Sequence, residues 1–156
     1  MQAADLAAVE AVAQAIHVDF PEDEAVFAER LRLCPQGCLV LAVEGGIAGY
    51  LISHPWMLGA PPALDTLLGA VPAGADSWYI HDLALAPQAR GTGAAGRVVA
   101  HAVGLARAAG LGSLSLMSVG GSAGFWRRQG FEAAPAPAEK LASYGDGAAY
   151  MVRRLG

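Results

Sequence analysis

Apolar residues recur at helical spacing at the start of the chain. Leu6, Val9, Val12, Ala13 and Ile16 make one stripe and predict a helix from Ala4 to His17. A second helix is expected from Glu22 to Leu31, with Pro21 near its first turn. The period then changes. Cys38 to Glu44 is an apolar strand, Glu44-Gly45-Gly46 is a turn, and Ile47 to His54 is the return strand of a hairpin. Residues 55–75 carry Pro55, Pro61, Pro62, Pro72 and several glycines, which predicts a long connection with a short helix at Ala63 to Leu68. Ser77 to Leu85 reads as the central strand. Gly93 to Ala109 reads as a helix, with Val98, Val99, Ala102, Val103 and Ala106 facing a sheet. Leu111 to Val119 is the next strand, and this crossover is expected to be right-handed and parallel. Ala123 to Gln129 is a short helix stopped by Gly130. Phe131 to Ala133 starts a strand that Pro135 and Pro137 break, and Ala148 to Leu155 is expected to close the sheet. The fold class that follows is α/β: one domain over residues 1–156, built on a mixed sheet with an antiparallel front half and a parallel middle, flanked by helices.

Composition narrows the function classes. Apolar residues make up 54 % of the 156, enough for a sizeable core and against disorder. No run of eighteen apolar residues lacks breakers, so no membrane span or membrane partner is expected. No basic region precedes an apolar run at the N-terminus, so no signal peptide is expected and the cytoplasm is the default location. The net charge of −4 disfavours a nucleic-acid partner. Cys34 and Cys38 have no second cysteine pair, and no metal is expected.

The chemistry concentrates in residues 79–96, Tyr-Ile-His-Asp-Leu-Ala-Leu-Ala-Pro-Gln-Ala-Arg-Gly-Thr-Gly-Ala-Ala-Gly. An apolar strand ends at Pro87, a glycine turn follows, and a helix begins. Gly91, Gly93 and Gly96 allow close backbone approach, and the helix start adds unpaired N–H donors and the positive end of a dipole. That combination holds a pyrophosphate, with Arg90 as a fixed charge at its mouth. Arg97 and Val98 stand where a Walker motif needs Lys and Ser or Thr. The glycine spacing fits a dinucleotide fingerprint, but the following strand ends in Ser118, Val119 and Gly120, without a carboxylate for a ribose.

A wider match uses the same residues. Arg90-x-x-Gly93-x-Ala95, preceded by Leu83-Ala84-Leu85-Ala86-Pro87, resembles the acyl-CoA signature of the GNAT superfamily of N-acyltransferases. Phe125-Trp126-Arg127-Arg128-Gln129-Gly130-Phe131 is similar to that family's Phe-Tyr-x-x-x-Gly-Phe segment, and Ala149 to Arg153 to its closing strand. The resemblance implies a GNAT-like sheet whose central strand and its parallel neighbour splay apart around a pantetheine arm. It places Leu83, Ala84 and Leu85 against that arm. It places the backbone of Arg90, Gly91, Thr92, Gly93, Ala94, Ala95 and Gly96 on the pyrophosphate of acetyl-CoA. Ser122 and Trp126 are expected beside the pantetheine. The family's usual opening strand is missing or much reduced here.

The resemblance further implies transfer of an acetyl group to a primary amine in a ternary complex. A base must take the amine proton, and an acid should protonate the thiolate. Strict alternation puts Tyr79, His81, Leu83 and Leu85 on one face, and Ile80, Asp82, Ala84 and Ala86 on the other. Family bases sit at positions matching Tyr79 and His81. His81, with an ordinary pKa of ~6.5, is the first candidate. Asp82 is expected to make a structural hydrogen bond, unless a one-residue bulge turns it inward. Trp126 stands where many members have the tyrosine acid, and an indole N–H is no Brønsted acid near neutrality. Water, Tyr144 or Tyr150 are the alternatives, with Tyr144 the preferred one.

For the acceptor, His17, Asp19, Glu22, Asp23 and Glu24 form an acidic lip suited to a cationic amine, or simply a helix start with dipole-matched acids. Trp56 and Trp78 line a pocket wall or serve as core or dimer contacts, and a homodimer stays open. A CoA-binding sensor or partner module with weak or no catalysis is the competing function, kept open by Trp126.

Overall fold

The amphipathic N-terminal segment forms helix α1 (Leu6–Ile16), which buries Val9 and Ala13. Helix α2 (Glu24–Leu33) starts at Asp23, whose carboxylate caps it by accepting the Ala25 N–H at 2.8 Å. Strands β1 (Cys38–Val43) and β2 (Gly46–Trp56) form the hairpin, turning at Gly45 with a φ of 93° that favours glycine. Strand β3 (Ser77–Leu85), helix α3 (Ala94–Ala108) and strand β4 (Ser113–Ser118) make the crossover. Helix α4 (Ala123–Arg128), strand β5 (Glu132–Ala133), helix α5 (Ala138–Ala142) and strand β6 (Ala149–Arg154) complete the chain. These elements come from a computed structural model that describes residues 1–156.

The sheet order is β1-β2-β3-β4-β6-β5. Only the β3–β4 pair is parallel, and its neighbours on both sides are antiparallel. The mixed sheet is therefore the expected one. Strand β6 lies inside the sheet, between β4 and the two-residue β5, and does not form its edge. On the other side β1 is the edge strand, and the Met1 ammonium donates to the Cys38 carbonyl at 3.1 Å.

Helices α1 and α2 cover one face of the sheet, where Val9, Ala13 and Phe27 meet Tyr50, Ile52 and Ala84. Helix α3 covers the other through Val99, Ala102, Val103 and Ala106, which pack on Leu51, Trp78, Ile80, Leu114 and Leu116. The short helix expected at Ala63 to Leu68 does not form. Residues 57–76 run irregularly, and Asp65 has a φ of 53°. Their backbone is satisfied by α2 instead: Glu29 accepts the N–H groups of Leu68 and Gly69 at 2.7 and 2.9 Å, and Arg30 donates to the Thr66 carbonyl at 2.7 Å. Helix α5 has no counterpart in the sequence reading.

Candidate active site

Three features of the sheet build the site. First, β3 and β4 pair only from Trp78 with Leu114 to Ile80 with Leu116. Beyond Ile80, β3 continues along β2 as far as Leu85, and β4 continues along β6 as far as Ser118. The two strands therefore part, and one side of the β3 backbone from His81 onward is left without a strand partner. A cavity of about 850 Å³ opens there.

Second, β3 carries a bulge. Its register against β2 steps from Ile52 opposite Asp82 to Ser53 opposite Ile80, which leaves His81 as the extra residue. Regular alternation fails at this point. Trp78, Ile80 and Leu83 face α3, whereas Tyr79 and Ala84 lie on the opposite face. The expected grouping of Tyr79, His81, Leu83 and Leu85 on one face is thus corrected. His81 and Asp82, adjacent in sequence, both turn to groups from the segment between α1 and α2. Nε2 of His81 is 2.9 Å from Glu22 Oε2, and Asp82 Oδ1 is 2.8 Å from Nε2 of His17.

Third, the glycine turn leads into α3. Gly91 and Gly93 have φ of 74° and 78°, and a Cβ at Gly91, Gly93 or Gly96 would meet no protein atom within 4 Å. The N–H groups of Gly91, Thr92 and Gly93 have no protein acceptor, and the first turn of α3 adds the donors every helix start leaves free. Arg90 is exposed beside them, its Nε donating to the Leu85 carbonyl at 3.1 Å. The Thr92 hydroxyl donates to the Ala89 carbonyl at 2.8 Å and so braces the turn. Open space in front of a row of amides, with a cation at its mouth, fits a pyrophosphate.

The expected site residues fall into two groups. His81, Tyr144, Leu83, Leu85, Arg90, Gly91, Ala95, Ser122 and Trp126 line the cavity. Tyr79, Ala84, Thr92, Gly93, Ala94 and Gly96 do not. Tyr79 and Ala84 are buried within the fold, and Thr92 to Ala94 with Gly96 form the turn and first helical turn next to Gly91 and Ala95. Trp126 is mostly buried and packs edge-on against Phe125 and Phe131, with its remaining edge on the cavity wall. The Ser122 hydroxyl pairs with that of Ser118 at 3.1 Å and does not cap α4.

The titratable groups are tightly held. His81 and Glu22 are 2 % and 7 % exposed at their side chains. Glu22 also accepts the Asp65 N–H on its other oxygen at 3.2 Å. Burial favours a neutral Glu22, but His81, the Asp65 amide and Arg30 outweigh it and hold the carboxyl below its ordinary range. Because Glu22 occupies Nε2 of His81, the other ring nitrogen Nδ1 is left buried and without any protein partner. Asp82 also accepts a hydrogen bond from the Tyr50 hydroxyl. Burial opposes charge on His17, yet Asp82 and then Glu22 raise its pKa above the ordinary value. The Tyr144 hydroxyl donates to the Pro62 carbonyl at 3.0 Å, and burial pushes its pKa up to about 12. Tyr79 is wholly enclosed, and burial together with the neighbouring Tyr144 hydroxyl raises it far above the ordinary tyrosine value. Tyr150 accepts the Gly59 N–H at 2.8 Å and lies off the cavity lining.

Among the lining residues that sequence reasoning missed as site members are Phe20, Leu64 and Met117. Phe20 extends across the gap toward Gly120, where an added Cβ would lie 4.0 Å from its ring, so the loop after α1 approaches the loop after β4. No local pattern announces this contact. No group of three or more His, Cys, Asp or Glu is arranged to hold a metal ion, and no helix is long and apolar enough to cross a membrane.

Comparison with known proteins adds to this geometry. The sequence model of the acetyltransferase (GNAT) family matches residues 6–131. No curated protein sequence matches significantly. Among solved structures, the GNAT-like decarboxylase GphF in complex with isobutyryl-CoA superposes with a TM-score of 0.85 at 17 % identity, covering 100 % of this chain and 97 % of that one. A ribosomal-protein alanine N-acetyltransferase from Escherichia coli gives 0.67 at 19 % identity, over 100 % and 91 %. The N-acetylglutamate synthase of Neisseria gonorrhoeae, complexed with coenzyme A and N-acetyl-glutamate, gives 0.55 at 23 % identity, over 85 % of this chain and 32 % of that one.

Proposed function

Because the chain belongs to the GNAT acetyltransferase family, it is an acyltransferase, and we propose that it moves an acetyl group from acetyl-CoA to a primary amine. The observation that carries this reading is the single cavity that joins the glycine turn to the His81–Glu22 pair. In this reading the amides around Gly91 to Gly96 and the charge of Arg90 hold the pyrophosphate. The free edge of β3 from Leu83 to Leu85 lies along the pantetheine, and the thioester reaches the bulge.

His81 is then the base. Glu22 fixes its tautomer by accepting a hydrogen bond from Nε2–H, which leaves Nδ1 with a lone pair and no competing donor. The attacking amine, directly or through one water, supplies the missing partner. Tyr79 is too enclosed to share this role, and the Tyr144 proton is engaged with Pro62. Asp19, Glu22 and Asp82 make the acceptor side negative, which suits an amine that arrives as a cation. Phe20, Leu64 and Met117 add apolar wall, so a small amine with an apolar portion fits best. The resemblance in shape to a decarboxylase supports a second reading, loss of CO₂ from a carboxylated acyl-CoA. The acidic wall weighs against it, since it would repel the carboxylate.

The test is thiol release from acetyl-CoA across polyamines, amino acids, aminoglycosides and peptides, with malonyl-CoA alone as the decarboxylation arm. Amine-dependent thiol release that His81→Ala lowers by about 100-fold and Asp82→Ala spares more is the expected result. An unchanged pH–rate profile in His81→Ala refutes the base assignment. CO₂ release without an amine refutes the transfer reading in favour of the second.

A further inference from the structure

The acyl-transfer reading leaves one proton unassigned. When the amine nitrogen bonds to the thioester carbon, the carbon–sulfur bond breaks and its electron pair leaves on sulfur. That thiolate must take up a proton. The indole of Trp126 has none to give near neutrality, and Tyr144 holds its own against the Pro62 carbonyl.

One other side chain on the cavity wall has the necessary construction. His17 is the residue at which α1 ends, its N–H bonded to the Ala13 carbonyl at 2.7 Å. The negative end of the helix dipole therefore lies at its backbone. The bulge in β3 turns Asp82 toward it, and the Tyr50 hydroxyl on β2 fixes that carboxylate from behind. Glu22 and Asp19 from its own loop add negative charge, and His81 is the other imidazole on the wall. Asp82 Oδ1 lies 2.8 Å from Nε2 as an ion-pair contact, and Nδ1 has no partner of its own within the protein. The side chain is 23 % exposed, so it is neither sealed in the core nor free in solvent. An imidazole whose protonated form is favoured by the carboxylates around it thus stands on the same cavity as the base.

We infer that His17, held by Asp82, protonates the departing thiolate of CoA. The inference rests on the acyl-transfer reading of this cavity. The ammonium first loses one proton to water and attacks as the neutral amine; the proton it sheds on bonding to carbon passes to His81, the His17 proton passes to sulfur, and both rings return to their starting state by exchange with water. Asp82 is a positioning residue in this scheme, because it acts through His17.

The decisive measurement needs no acceptor amine. Coenzyme A is bound to the protein and its thiolate is titrated by ultraviolet absorbance in wild type, His17→Gln and Asp82→Asn. A neighbouring imidazolium stabilises thiolate, so the bound thiol is expected to titrate at lower pH in wild type than in His17→Gln, by about one unit or more. In the transfer assay His17→Gln is expected to lose about 100-fold in kcat while binding CoA normally. The rate falls as pH rises through the pKa of an acid catalyst, so Asp82→Asn is expected to move that alkaline limb to lower pH. Identical thiol titration in wild type and His17→Gln overturns the inference and leaves the acyl-transfer reading standing. Failure of wild type to bind CoA overturns both.

Discussion

Acid is expected to destabilise this protein through His54, a residue directly behind the proposed base. His54 has no solvent exposure, and its ring lies 6.0 Å from that of His81 and 5.7 Å from that of Tyr79. Its Nδ1 is 3.0 Å from the Pro55 carbonyl, which can only accept, so the neutral ring carries its proton there. Nε2 is left buried without a partner. Burial first, and then the charge of His81, push its pKa down to about 3. The folded value lies below the unfolded value of ~6.5, so the unfolded chain binds a proton that the folded chain refuses. The resulting stability is complete above pH ~6.5 and is lost as pH falls toward 3. At ~1.4 kcal/mol per unit, the loss between pH 7 and pH 5 is about 2 kcal/mol from this residue. For a chain of 156 residues that corresponds to ~4–8 °C in Tm. His54→Phe keeps a ring in place and removes the titration. Urea unfolding of both proteins at the two pH values isolates the effect, because His17, which acts with opposite sign, and Glu22 are common to both. The variant is expected to keep about 2 kcal/mol more of its pH 7 stability at pH 5. Equal losses in the two proteins refute the reasoning.

Two further outcomes follow from the site. Arg90→Glu is expected to weaken CoA binding measured by calorimetry, with a larger effect at low salt than at high salt, since Arg90 is exposed and its field is screened. Glu29→Ala removes the acceptor of two loop amides and one of the two carboxylates that compensate the buried Arg30; it is expected to lower unfolding stability by ~2–3 kcal/mol and to raise the acceptor KM, because the freed loop carries Leu64 and the Asp65 amide that braces Glu22.

The sequence pattern reached the fold more surely than the site. The glycine turn, the hairpin and α3 are written in local spacing, and the strands and helices there lie where the pattern puts them. The short helix expected at Ala63 to Leu68 gives way because the carboxylate of Glu29 and the guanidinium of Arg30 take the loop's backbone groups, and that competition is tertiary. His81 was legible as a candidate because of its residue type on the central strand. Its partner Glu22 is 59 residues away, and the pairing of Asp82 with His17 is as distant in kind. Neither contact leaves a trace in local periodicity. Strict alternation fails in β3 for one reason: it assumes an unbroken ladder, and the bulge at His81, the alternative the sequence leaves open for Asp82, adds one residue to it.

That added residue means the site is encoded by a length as much as by side chains. Removing any single residue between Ile80 and Leu83 would restore a regular pleat without changing the apolar character of the strand. It would also leave β3 able to present to the segment between α1 and α2 either an imidazole or a carboxylate, never both. A homologue with the same glycine turn but a central strand one residue shorter is therefore expected to keep the row of free amides and to form only one of the two contacts, His81 with Glu22 or Asp82 with His17.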